Sequence, residues 1–268
     1  MKLAITGKGG VGKTTLTGLL AYAYAKSGFH VLAIDADPSP CLGAALGFPA
    51  DLLKQLTPIA EMEELIYERT GAKPGTVGGY FKINPRVDDI PDEFSVLHRG
   101  IRLLELGAVT TGGSGCICPE SAVLRALTTH ILLRRDEVVL IDMYAGVEHL
   151  GRATADAVDA MLVVAEPGSR GLATAAQIKA MARDIGIRRL YLVGSKVRTD
   201  EDRAYIETHS PGLPLLGHLP YSPLAQEADR EGRAIYDAVP EMVEAAQAIA
   251  AALEQQLDAR SASAAGEA

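Results

Sequence analysis

An α/β fold with a mostly parallel sheet and helices on both faces is predicted by three features of this sequence. A glycine-rich loop, Gly7-Lys8-Gly9-Gly10-Val11-Gly12-Lys13-Thr14-Thr15, stands between an apolar run and an alanine-rich helical stretch. Further apolar runs recur along the chain, and several are separated by helical segments. These runs are nearly continuous rather than alternating, which is how strands covered on both faces read.

Taken in order, Lys2 to Thr6 (KLAIT) reads as a short buried strand, and Lys13 to Ser27 as a helix stopped at Gly28. His30 to Ile34 reads as the second strand. Val138 to Ile141, Met161 to Ala165, Leu190 to Val193 and Leu215 to Leu219 read as others, with Ala173 to Ile185 a helix among them. Residues 49–100 are less regular, punctuated by Pro49, Pro58, Pro74, Pro85 and Pro91 around a helical piece at Glu61 to Arg69. Such an insertion carries function or partner contacts, or is a plain surface excursion. Glu241 to Leu257 is helical in pattern, and Ser261 to Ala268 is expected to be a disordered tail. Residues 1–260 read as one domain.

At 268 residues and 48% apolar content the chain can bury a sizeable core. Its net charge of −8, without a lysine or arginine cluster, makes nucleic acid an unexpected partner. The start shows no charged segment followed by an apolar one, and nowhere do about eighteen apolar residues run uninterrupted. A cytoplasmic protein without membrane contact is expected. Three cysteines are too few for a disulfide framework and read as thiols or metal ligands.

The loop matches G-x-x-x-x-G-K-[ST], in which backbone N–H groups cradle phosphates, the lysine reaches the β/γ oxygens and the hydroxyl holds Mg²⁺. Gly9, Gly10, Val11, Gly12, Lys13, Thr14 and Thr15 are therefore candidate nucleotide contacts, with Thr14 the Mg²⁺ ligand. The following helix points its N-terminus at the phosphate charge. Lys8 is one lysine more than such a loop requires. It stands at the start of the turn, opposite Lys13, so its natural target is a nucleotide bound to a second copy of the chain. A homodimer is implied.

Asp35-Ala36-Asp37-Pro38 ends the second strand and places two carboxylates where the chain leaves the sheet toward the nucleotide. One can assist Mg²⁺ through water while the other, here Asp37, orients or deprotonates the attacking water; the alternative is that one of them caps the following turn. Val138-Val139-Leu140-Ile141-Asp142 has the form of a second acidic strand whose carboxylate supports the Mg²⁺ shell. Gly146, four residues on, could offer its N–H to a γ-phosphate. Gly194-Ser195-Lys196 and Pro220 end strands at the sheet edge where a nucleobase would sit.

In Gly113-Ser114-Gly115-Cys116-Ile117-Cys118-Pro119, residues two apart share a face when extended, so both sulfurs can approach one soft metal ion. Two thiolates half fill a tetrahedral site, and two chains facing each other would supply four. The competing reading is a pair of small buried core residues. Cys41 has no nearby partner in sequence and reads as structural. The histidines form no metal-ligand spacing; His149 follows the Asp142 to Gly146 loop and reads as a solvated or capping residue more readily than a ligand.

With the two-lysine loop, the Asp35/Asp37 pair and the Asp142 to Gly146 segment in place, the chain resembles the deviant Walker-A ATPases, which include division-site and plasmid-partitioning ATPases and the nitrogenase iron protein. Within them, Asp37-Pro38…Cys41-Leu42-Gly43, Cys116-Ile117-Cys118, Asp142-Met143…Ala145-Gly146…Glu148-His149-Leu150 and Lys196-Val197-Arg198 look like the CooC type. That family is the nickel-insertion ATPase of carbon monoxide dehydrogenase maturation. The resemblance implies a P-loop NTPase fold and a nucleotide-sandwich dimer with Lys8 acting across the interface. It also implies ATP hydrolysis, one Ni²⁺ or Zn²⁺ held by the paired C-x-C segments, and an apo-carbon monoxide dehydrogenase as client. Ser195 departs from the family pattern, standing where an asparagine contacts adenine, and Tyr144 departs from it in the switch segment. Two other functions keep the same loop: a partitioning or positioning ATPase that recruits partners to membrane or DNA, and an iron-sulfur reductase. The polar, lysine-poor end of the chain speaks against the first, and the absence of a cysteine after Asp142 against the second.

Overall fold

The computed structural model describes residues 1–76, 80–107, 118–130, 136–144 and 158–265, with backbone alone for His130 and residues 260–265. The first apolar run forms β1 (Lys2–Gly7) and leads through the glycine loop into α1 (Lys13–Lys26), which stops at the predicted Gly28 with φ +89°. Then come β2 (His30–Ala36), the short helices α2 (Leu42–Ala45) and α3 (Ala50–Leu53), a 3-10 turn at Ile59–Glu61, α4 (Glu63–Thr70) and α5 (Ile90–Phe94). The insertion closes with β3 (Val96–His98) and continues into β4 (Ile101–Glu105) and α6 (Pro119–His130). The second half runs β5 (Glu137–Met143), β6 (Ala160–Ala165), α7 (Ser169–Asp184), β7 (Leu190–Val197), α8 (Asp200–His209) and β8 (Leu215–Pro220). Helices α9 (Pro223–Arg230), α10 (Ile235–Ala238) and α11 (Pro240–Ala265) complete it.

The eight strands form one sheet in the order β3-β4-β2-β5-β1-β6-β7-β8, parallel throughout except for β3, which pairs antiparallel with β4 at the edge. Residues of β1 alternate between two apolar layers. Leu3 and Ile5 pack with α1 and α11 through Leu16, Leu20, Ile249 and Leu253, while Ala4 faces the layer of α4, α6 and α7. Both faces are thus covered, as the continuous apolar runs predict, and every residue of β1 and β6 is buried.

Two elements differ from the sequence reading. The sheet extends beyond the predicted strands through β3 and β4, because Ile101, Leu103 and Leu104 are buried while Arg102 lies exposed near the sheet edge. Helix α11 continues through Ala265, into the stretch expected to be a tail, since Ser261 to Ala265 is rich in alanine. Strand β1 is the topological switch, with β5 on one side and β6 on the other, so the crevice at its carboxyl end is where an α/β sheet receives ligands. Among the described residues no helix is long and apolar enough to cross a membrane.

Candidate functional site

The loop between β1 and α1 is built around glycines that nothing else could replace at the same cost. Gly7 has φ +156° and passes so close to β6 that a Cβ would lie 2.5 Å from the Val164 carbonyl oxygen. Gly12 precedes α1 with φ +100°, and no acidic side chain stands in the first turn of that helix, so its N–H groups face the crevice without competition from a carboxylate. Lys8, Gly9 and Gly10 form an exposed crest, whereas the Lys13 side chain folds inward, is 8% exposed and donates from Nζ to the Lys8 carbonyl at 3.3 Å.

Thr14 and Asp142 meet beneath this loop. The Thr14 hydroxyl donates to Asp142 Oδ2 at 2.6 Å, and Thr17, one turn further along α1, donates to Oδ1 at 3.4 Å. Asp142 is 1% exposed, and burial pushes its carboxyl up to about 7, opposed by the Thr14 hydrogen bond. A hydroxyl beside a buried carboxylate is a hard oxygen pair of the kind Mg²⁺ accepts, so these residues fit the ion that the loop chemistry calls for.

Asp35 is also fully buried, but both of its oxygens are engaged. Oδ1 accepts the N–H of Asp37 at 3.0 Å, and Oδ2 those of Cys41 and Leu42, each at 2.8 Å. Burial raises its carboxyl despite those bonds. It anchors the loop that carries Asp37 and caps the entry to α2. Asp37 is half-buried and accepts the Ser39 N–H at 2.9 Å, the turn-capping contact foreseen as the alternative to water activation.

A cavity of about 350 Å³ opens beside the loop. It is lined by Gly12, Thr14 and Thr15 together with the predicted base-side residues Ser195, Lys196 and Pro220, and by α9 through Ala225, Gln226 and Asp229. Ser195 is buried, and a Cβ on Gly12 would come within 3.0 Å of its hydroxyl, so a small side chain there is matched to the loop. Cys41 differs from its structural reading: its Sγ lies 3.5 Å from Thr14 Oγ1, and it lines the same cavity. Thr17 and Glu166, whose carboxylate meets Lys196, were not singled out in the sequence; their roles, and the place of Cys41 beside Thr14, become visible only when segments distant in sequence converge on β1.

Cys118 is described and Cys116 is not; Gly146 and His149 also lie outside the described residues. Cys118 is 3% exposed just before α6, where its N–H donates to Ser121 Oγ at 3.1 Å. Among the described residues no group of three or more His, Cys, Asp or Glu side chains is placed to hold a metal ion.

This geometry is that of a nucleotide site. The sequence matches the CobQ/CobB/MinD/ParA nucleotide binding domain over residues 2–235. The chain belongs to this family. It is 50% identical over 253 residues to the carbon monoxide dehydrogenase accessory protein CooC of Rhodospirillum rubrum, covering 94% of this chain and 96% of that one. An uncharacterized ATP-binding protein of Methanocaldococcus jannaschii is 46% identical, over 82% of this chain and 85% of that one. The chain is thus a CooC-type member of the family, and an ATPase. Among solved structures, the MinD cell division protein of Aquifex aeolicus superposes with a TM-score of 0.66 at 21% identity, covering 95% of this chain and 96% of that one. A ParA family ATPase of Chlorobium tepidum TLS superposes at 0.65 and 16% identity, over 94% and 98%. Both establish the fold.

The buried carboxylate of the family site has a measurable cost in the absence of the ion. Asp142 holds its proton more tightly folded than unfolded, so its contribution favours the fold at low pH and turns against it as pH rises from about 4 through 7. Asp142→Asn is therefore expected to stabilise the nucleotide-free protein at pH 8, by an amount on the order of 2–4 kcal/mol, and to change it little at pH 4. Thermal unfolding at the two pH values measures this; an equal shift at both would refute it.

Proposed function

We propose that the protein is an ATP-hydrolysing metallochaperone of the cytoplasm, which binds nickel through Cys116 and Cys118 at a homodimer interface and assists its insertion into the metal cluster of a carbon monoxide dehydrogenase. What carries this reading is the 50% identity to the Rhodospirillum rubrum accessory protein over nearly the whole of both chains. The C-x-C segment adds the metal chemistry: two thiolates per chain, four in a dimer, suit a soft ion.

In the nucleotide site the loop N–H groups and Lys13 hold the triphosphate, and Ser195, Lys196 and Pro220 border the base and ribose side. Thr14 and Asp142 would hold Mg²⁺, which when bound offsets phosphate charge and orients the γ-phosphoryl group. Asp37, on the turn that Asp35 anchors, would orient the attacking water in addition to capping that turn, with Gly146 offering an N–H to the γ-phosphate. Lys8 completes the site of the other subunit. Cys118 is buried in the single chain, so nickel reaches it only once it becomes accessible, and coupling that access to nucleotide-driven dimerisation gives ATP its purpose.

The test is a nickel titration of the purified protein with ATP present, followed by equilibrium dialysis. The native protein is expected to bind one Ni²⁺ per pair of chains; Cys116→Ala and Cys118→Ala should each lose that site while keeping ATP affinity within about twofold. Stoichiometric nickel in both variants would defeat the assignment.

A further inference from the structure

The crest Lys8–Gly10 is exposed, and a Cβ built on Gly9 or Gly10 would meet nothing within 4 Å, so side-chain packing does not fix its position. Hydrogen bonds do. The Val11 N–H donates to the Lys8 carbonyl at 3.2 Å, Lys13 Nζ donates to that same oxygen at 3.3 Å, and Lys196 Nζ donates to the Gly10 carbonyl at 2.6 Å. The Lys13 contact cannot persist once its ammonium turns to a triphosphate. The Lys196 contact then becomes the side-chain tether of the crest among those the structure shows.

Lys196 is delivered there by a distortion of the sheet. The pairing of β7 with β8 shifts register between Gly194 and Val197, and Lys196 itself takes φ +56°, a left-handed conformation that a side-chain-bearing residue adopts at a cost of roughly 1 kcal/mol. Bulges of this kind re-aim side chains beside functional sites. Here the re-aimed ammonium also meets Glu166 Oε1 at 2.6 Å. Glu166 follows the last residue of β6, and so comes from the strand that flanks the phosphate loop on the side of β7. One carboxylate, one ammonium and one backbone carbonyl form a chain of charge-assisted contacts from the end of β6 to the exposed crest.

We propose that Glu166 and Lys196 are positioning residues, which brace the Gly10 carbonyl and thereby set the crest that presents Lys8 to a second copy of the chain. The inference rests on the sandwich-dimer reading of Lys8. An exposed ion pair adds little to stability, so the worth of this one lies in where it holds the glycines. Glu166 does not line the nucleotide cavity, which makes it the cleaner position to change.

The experiment measures ATP turnover per chain across a range of protein concentrations for the native protein, Glu166→Gln and Glu166→Arg, beside the affinity of the dilute protein for Mg-ADP. Glu166→Gln is expected to raise the protein concentration at half-maximal turnover about tenfold, the scale of one charge-assisted hydrogen bond, and Glu166→Arg to raise it further. Mg-ADP affinity should stay within about twofold in both, because Glu166 itself does not line the nucleotide cavity. A loss of Mg-ADP affinity equal to the loss of turnover would overturn the proposal in favour of a direct role for Lys196 on the nucleotide, and so would unchanged concentration dependence in both variants. Native turnover per chain that does not vary with protein concentration would instead sink the dimer reading beneath it.

Discussion

Lys13→Ala is expected to lose Mg-ATP binding by about two to four orders of magnitude, the largest effect of any single substitution in the loop. The triphosphate brings several negative charges into a crevice that already holds Asp35 and Asp142, both buried and raised in pKa. Lys13 is the cation held inside that crevice, 8% exposed and parked on the Lys8 carbonyl. Without it the phosphates face the same low-dielectric walls uncompensated, at a cost of several kcal/mol. Folding should not suffer, because the truncation removes a desolvated ammonium together with a hydrogen bond of modest net worth. Titration with a fluorescent ATP analogue, read beside thermal unfolding, separates the two effects. A variant binding within tenfold of the native protein, with an unchanged melting temperature, would show that the loop amides suffice and that the lysine has another task.

The parts of the site that could be read from sequence are those made by one continuous segment. Gly7 to Thr15 is legible because Gly7, Gly10 and Gly12 answer local backbone demands and the lysine and threonine follow at fixed offsets. Asp142 is legible as the end of an apolar strand, and the strand order then brings it to Thr14. Residues whose meaning depends on neighbours from elsewhere in the chain were not. Cys41 has no partner in sequence, and its place beside Thr14 follows from Asp35 reaching forward to bind the Cys41 and Leu42 amides. Lys196 was expected near the nucleotide, but its aim at Gly10 depends on a bulge that periodicity does not reveal. Strand β4 escaped notice because Arg102 interrupts its apolar run, as an edge-proximal position permits.

Lys8→Ala is expected to bind ATP as the native chain does, within about threefold, and to turn it over about 10²- to 10³-fold more slowly, a penalty set by analogy with cations supplied in trans to phosphoryl transfer. The two lysines of the loop are placed differently. Lys13 lies inside the crevice, whereas Lys8 stands on the exposed crest, and its carbonyl, rather than its side chain, is what the Val11 amide and the Lys13 ammonium hold. On the proposed sandwich dimer, a side chain so placed adds little to nucleotide affinity in one chain and acts where a second crevice closes over it. Charge developing on the transferred phosphoryl group is stabilised most by a cation that arrives already oriented, so the loss should fall on kcat rather than on binding. Sedimentation with a slowly hydrolysed ATP analogue should show the native protein as a dimer and Lys8→Ala as a monomer. Mixing Lys8→Ala with a variant that cannot bind nucleotide, Lys13→Ala, should restore turnover to a fraction of the sites, because the Lys13→Ala chain still supplies Lys8 to its ATP-loaded partner. Failure of that complementation, with both proteins folded and Lys8→Ala retaining ATP, would place the action of Lys8 within its own chain.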